Sequence, residues 1–293
     1  MRDLFVTNPE EDKSRIEDLK GGLVEDSYSW ILTHPHFQRW YENPGEQVLW
    51  IKGHPGTGKT MLMCGIIDHL KSSASYASER LGSFSQVFYF FCEAGDTARN
   101  NAEVVLRVLM WSILKAHPSL IPVVKHDYYN KGNNVFTGKN AWYSLSKMIR
   151  IILEDNNLND TIILIDALDE CDIGSREKLL GLITDFEQRT SIKWVSSSRN
   201  WPSIERKLEQ SSRMVILDLE LNAGLISEAV ASYIRYRVDD MAKGNPLIGM
   251  EAWINFKSGL QSRSSSIFLW VATSLLHTTP PAPTVSAALG LSP

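Results

Sequence analysis

Three observations predict an α/β fold with a parallel sheet between two layers of helices. Apolar strand-like runs alternate with amphipathic segments of helix length along the first 221 residues. The first of these runs ends in a glycine-rich loop that opens a helix. The third run is apolar throughout and ends in acids. The spacing gives five strands. The expected order, 5-1-4-3-2, brings the ends of strands 1, 3 and 4 together, and a partial C-terminal helical domain follows.

Each element has its own reason. Residues 1–46 are polar and helical in parts, with Pro35 and Pro44 read as breaks. EQVLWIK is a buried strand, and KTMLMCGIIDHLK spaces Met61, Leu62, Cys64, Ile66, Ile67 and Leu70 as a helix does. SQVFYFFC, residues 85–92, is the second strand. After the polar loop EAGDTARN, the segment NAEVVLRVLMWSILKAH is an amphipathic helix ending before Pro118, and another helix follows to about Tyr129. KGNNVFTGKN is a turn-rich loop, and AWYSLSKMIRIILEDN is a helix with Trp142, Leu145, Met148, Ile149 and Ile152 on one side. TIILIDALDEC is the third strand, SREKLLGLITDFEQR a helix, IKWVSSSRN the fourth strand and its loop, and MVILDLEL the fifth. Beyond Leu221 only helical patterns remain: LISEAVASYIRYRVDDMA, residues 250–260, and SIFLWVATSLL. The expected divisions are a lead-in over 1–46, an α/β core over 47–221, a partial helical domain over 222–278 and a loose tail over 279–293.

Composition bounds the function. The 293 residues carry a net charge of −4 and 43% hydrophobic residues, which does not match a general nucleic-acid footprint. Cys64, Cys92 and Cys171 lack metal-type spacing, and Cys64 and Cys92 sit in apolar runs as reduced core residues. The start, MRDLFVTNPEEDK, has no apolar signal-peptide core, and no apolar run approaches a bilayer span. A cytoplasmic protein without a membrane span is expected. The nine tryptophans read as core or interface packing. His34 and His36 have no companion ligands nearby and read as loop histidines.

The glycine-rich loop carries the chemistry. Gly53, Gly58, Lys59 and Thr60 fit G-x-x-x-x-G-K-[ST], the phosphate-binding loop. Glycine lets the chain approach an anion without a Cβ in the way. Pro55 would shape the loop, and the backbone N–H groups of Gly53, Gly56, Thr57, Gly58 and on to Met61 would surround the phosphates, aided by the helix N-terminus. Lys59 would reach the β- and γ-phosphates, and the Thr60 hydroxyl would bind Mg²⁺. Asp166, at the carboxyl end of its strand, is the second magnesium residue. Glu170 is the candidate to activate water, with Asp169 in support. Ser198 and Arg199 end the neighbouring strand and would point at the γ-phosphate, where an arginine senses it and stabilises transition-state charge. G-x-S-x-G and H-E-x-x-H are absent from the sequence, so hydrolase chemistry of those kinds has no support.

These residues resemble the NACHT domain of fungal STAND-class P-loop NTPases, the family of NOD-like receptor and heterokaryon-incompatibility proteins. The resemblance rests on EDKSRIEDLKGGLVEDSYSWIL, WIKGHPGTGKTMLMCGIID, YFFCEAGD, NAWYSLSKMI, LIDALDEC, KWVSSSRNWPSIE, LDLELN and SIFLW, and so covers nearly the whole chain. One detail is specific: the small Ala167 follows the magnesium aspartate, and the acidic pair Asp169-Glu170 comes after it. The resemblance implies binding of ATP or GTP with Mg²⁺, slow hydrolysis, and nucleotide-controlled homo- or hetero-oligomerisation with other NACHT proteins. The family's effector region, winged helix and WD or ankyrin repeats are not found in these 293 residues. The expectation drawn from that is fast diphosphate exchange, with signalling only through a longer NACHT partner. A short form and a truncated gene product both stay open. The helical-domain segment SRSSSIFLW lacks the family's Gly-x-Pro, and the GNPL at 244–247 falls too early to replace it. Residues 20–30 are the candidate base-contacting segment, and adenine and guanine both stay open. Two other functions compete: a nucleotide-binding scaffold or decoy without useful hydrolysis, and a P-loop kinase. No arginine-rich lid supports the kinase.

Overall fold

The computed structural model describes residues 1–76, 86–186, 190–208, 213–246, 248–264 and 267–277. Five strands form one sheet: β1 (Val48–Lys52), β2 (Gln86–Phe91), β3 (Thr161–Asp166), β4 (Lys193–Ser198) and β5 (Met214–Asp218). Their spatial order is β2-β3-β4-β1-β5, with every pairing parallel. Read from the other edge, this is the expected 5-1-4-3-2. Ser85, the expected start of the second strand, and the expected loose tail lie outside the described residues.

The helices are α1 (Pro9–Leu19), α2 (Pro35–Glu42), α3 (Lys59–Tyr76), α4 (Ala102–Ala116), α5 (Ile121–Lys131), α6 (Asn134–Thr137), α7 (Ala141–Leu153), α8 (Ile173–Phe186), α9 (Pro202–Leu208), α10 (Ala223–Gly244), α11 (Met250–Arg263) and α12 (Phe268–His277). Three departures from the sequence reading have local causes. Pro35 does not break a helix but starts α2, where its missing N–H costs nothing; the His34 ring caps the same turn. Within the expected loop KGNNVFTGKN, Val135 and Phe136 bury themselves and wind α6. After β4, Ile204 and Leu208 bury one side of a segment that Pro202 opens as α9.

Adjacent strand residues face opposite sides, so each strand feeds two cores. On one side Trp50, Phe88, Phe90, Ile163, Ile165 and Trp194 pack with α4, α7 and α8. On the other, Leu49, Ile51, Tyr89, Phe91, Ile162, Leu164 and Val195 pack with α2 and α3. Ile226, Val230, Ile234, Trp253, Leu260 and Val271, from α10 to α12, join this second cluster. Trp40, Trp50 and Trp194 are fully enclosed, as expected of core tryptophans, whereas Trp201 is 44% exposed. All three cysteines are buried thiols. No single helix among the described residues is long and apolar enough to cross a membrane.

One buried cation ties the lead-in to the sheet. Lys193, at the start of β4, donates its ammonium to the carbonyls of Trp40, Asn43 and Glu46. It also lies 5.6 Å from the centre of the Trp40 ring. Burial pulls its pKa down to about 8, with Glu46 opposing. Lys193→Met should lower stability by about 2 kcal/mol, because three carbonyls lose their donor while one desolvated charge is relieved. Urea unfolding reads this directly, and an unchanged midpoint with an unchanged slope would rule the staple out.

Candidate functional site

The sheet order places the ends of β1, β3 and β4 side by side. One cleft forms above them. It is lined by Pro55, Gly56, Gly58, Lys59, Thr60 and Met61 from the loop after β1, and by Ala167, Asp169 and Glu170 after β3. Ser197 and Arg199 line it from β4, and Lys20, Gly22, Ser27, Tyr233, Phe268, Leu269 and Ala272 close the remaining walls.

The loop needs its glycines. Gly56 and Gly58 take φ of +81° and +89°, which other residues rarely adopt. A Cβ on Gly58 would also meet the Phe268 ring at 2.8 Å. The Gly53 N–H donates to the Ser198 carbonyl at 3.2 Å and pins the start of the loop to β4. The Thr57 hydroxyl donates to the His54 carbonyl at 2.8 Å, so Thr57 turns inward and holds the loop's shape. Lys59 donates to the Gly53 and His54 carbonyls at 2.6 and 2.8 Å. Burial holds the Lys59 pKa below its ordinary value; the charges of Asp169, Asp166 and Glu220 oppose this, and Arg199 adds to it.

Asp166 is 2% exposed. Its carboxylate accepts from the Ser197 and Thr60 hydroxyls. Burial pushes its pKa up to about 6, against those two bonds and the Lys59 charge, with Glu170 adding to the rise. A desolvated carboxylate beside a hydroxyl is a donor set that a hard divalent cation fits. Among the described residues no cluster of three or more His, Cys, Asp or Glu side chains could hold a metal by itself. An ion held by Thr60 and Asp166 would therefore take its other oxygens from phosphate and water, as Mg²⁺ commonly does.

Ala167 explains the small residue after the aspartate. Its φ is +53°, in the left-handed region, where a bulky or β-branched side chain is strongly disfavoured. Its N–H donates to Ser197 Oγ at 2.9 Å. The turn then places Asp169 against Arg199: Oδ1 accepts the Arg199 backbone N–H at 3.0 Å, and Oδ2 lies 3.1 Å from its Nε. Glu170 Oε2 accepts the Ala94 N–H at 3.0 Å.

Most residues expected at the site therefore meet. Ser198 does not. It is fully buried, accepts from Trp50 Nε1 at 2.8 Å and donates to the Arg199 carbonyl at 2.9 Å. Its neighbour Ser197 faces the cleft instead, because successive strand residues point opposite ways. The wall from α10 and α12 was only partly readable. The family resemblance draws attention to SRSSSIFLW in the helical domain, but Tyr233 carries no motif. Tyr233 Oη donates to the Lys20 carbonyl at 3.0 Å, and Arg237 Nη1 donates to that of Gly21, so α10 clasps the turn at 20–22. The Leu269 N–H donates to the Gly56 carbonyl at 3.2 Å, which seats α12 on the phosphate loop. Of GNPL, the described residues Gly244, Asn245 and Pro246 do not line the cleft, and Leu247 lies outside the described residues.

Residues 26–199 match the family described as Nephrocystin 3, N-terminal. The chain is 43% identical over 277 residues to the vegetative incompatibility protein HET-E-1 of Podospora anserina. That alignment covers 93% of this chain and 19% of the relative, so the chain spans about a fifth of that protein's length. Among solved structures, C. elegans PCH-2 matches with a TM-score of 0.43 and 12% identity, covering 92% of this chain and 62% of that one. Drosophila ORC bound to DNA matches with a TM-score of 0.39 and 13% identity, covering 99% and 67%.

Proposed function

The chain belongs to the Nephrocystin 3, N-terminal family and is a NACHT domain of the fungal type, and from that premise we propose that it is a nucleotide-driven switch. It binds ATP or GTP with Mg²⁺ and hydrolyses it slowly. The observation that carries this reading is the meeting of Lys59, Thr60, Ser197 and Arg199 in one cleft beside the buried Asp166.

The roles follow from position. The phosphate-loop amides and Lys59 bind and orient the phosphates. Thr60 and Asp166 hold the Mg²⁺, which neutralises charge on the phosphate oxygens. Ser197 orients Asp166 through their hydrogen bond. Glu170 polarises the attacking water, and Arg199 meets the charge of the terminal phosphate. The turn at 20–22, with Tyr233 and Phe268, offers walls for the base. We place the switch in the cytoplasm, with residues 47–221 as its nucleotide-binding core and 222–278 as a helical unit. Its partners would be further NACHT chains, in keeping with the incompatibility role in the relative's name.

The test is equilibrium binding of labelled ATP and GTP to the purified chain, with and without Mg²⁺, followed by phosphate release over hours. Mg²⁺-dependent binding with slow release is expected. Binding without release would favour the scaffold reading, and no binding of either nucleotide would reject both.

A further inference from the structure

Asp169 and Arg199 leave different strands, β3 and β4, and meet beside the phosphate loop. Asp169 uses both carboxylate oxygens on this one residue, Oδ1 on its backbone N–H at 3.0 Å and Oδ2 on its guanidinium at 3.1 Å. The two side chains differ in freedom. That of Asp169 is 5% exposed and fixed, whereas that of Arg199 is 47% exposed. Both line the same cleft as Lys59 and Thr60. A carboxylate with both oxygens engaged is poorly placed to take a proton from water. Glu170 accepts the Ala94 N–H through Oε2, and among the described residues nothing engages its other oxygen.

We propose that Asp169 is a positioning residue that holds the Arg199 guanidinium while the cleft is empty or carries a diphosphate, and yields it to the terminal phosphate of a triphosphate. This rests on the nucleotide reading above. Two features make the exchange possible. The backbone bond to Oδ1 keeps the end of β4 tied to the end of β3, so only the head of Arg199 has to change partner. A terminal phosphate also carries more charge and more acceptor oxygens than one carboxylate, so it wins the guanidinium. The diphosphate lacks that group, and Asp169 keeps it. Asp169 thus sets how strongly the site separates the two nucleotides.

The carboxylate also adds negative charge to the cleft wall, so removing it should strengthen binding of both polyphosphates. The informative quantity is the ratio of their dissociation constants. Asp169→Asn retains an oxygen for the Arg199 N–H but loses the ion pair. With Mg²⁺, fluorescent ADP and a slowly hydrolysed fluorescent ATP analogue, and the guanine pair in parallel, D169N should raise the preference for triphosphate by about tenfold. Arg199→Ala should bring the preference close to parity. In an R199A background, D169N should change the ratio by less than about twofold, since the two act through one contact. A shift of equal size with and without Arg199, or no shift in the parent, overturns the proposal. A parent chain that binds neither nucleotide fails earlier, at the proposed function itself. Should D169N not fold, Arg199→Gln keeps the backbone bond to Oδ1 but removes the guanidinium from both Asp169 and the terminal phosphate. It must then erase the triphosphate preference, and a preference that survives it overturns the proposal.

Discussion

Replacing Lys59 with alanine is expected to abolish nucleotide binding and leave the chain folded. The Lys59 ammonium bonds to the Gly53 and His54 carbonyls of its own loop, and the residue belongs to neither hydrophobic cluster. It is already partly stripped of water, with its pKa held low by burial. A desolvated cation waiting beside a cradle of backbone amides is poised for an anion, so its loss falls on binding rather than on packing. Two charge-assisted bonds to phosphate are worth about 3–5 kcal/mol together, or roughly a 10³-fold loss of affinity. Equilibrium binding of labelled nucleotide measures the first effect and thermal unfolding the second. A variant that binds as tightly as the parent removes the phosphate loop from the function. One that fails to fold shows the lysine to be structural.

Replacing Glu170 with glutamine should separate binding from turnover. Glutamine retains an oxygen to accept the Ala94 N–H, so the turn after β3 keeps its shape. It cannot take a proton from water. Phosphate release should fall by about 10²-fold or more, the usual contribution of a general base, with nucleotide affinity within about twofold of the parent. Asp166→Asn should behave differently. Asp166 is buried and accepts from the Ser197 and Thr60 hydroxyls, so its change should weaken Mg²⁺-dependent binding before any effect on turnover. Single-turnover phosphate release beside equilibrium binding distinguishes the two patterns. Equal turnover in Glu170→Gln and the parent would strip Glu170 of its role.

What is local is legible in the residues alone. The strand and helix periods, the phosphate-loop spacing, the acid at the end of TIILID and the strand order were all readable. Each of these follows from residues close along the chain or from the few topologies that parallel strands permit. Ser197 and Ser198 mark the first limit. The strand KWVSSS is buried on both faces, so no alternation of apolar and polar residues says which serine faces the cleft. Only the pairing of Trp50 with Ser198 and of Asp166 with Ser197 decides it. The expected loop around Val135 and Phe136 marks a second limit, because two apolar residues among turn formers wind into α6 only once there is a core to bury them. The wall made by Tyr233 and Phe268, and the Asp169–Arg199 contact, join segments 30 or more residues apart in the chain. No periodicity carries such contacts. They exist because the sheet brings the ends of β1, β3 and β4 together and α10 to α12 pack on one of its faces, and tertiary packing alone fixes which side chains then touch.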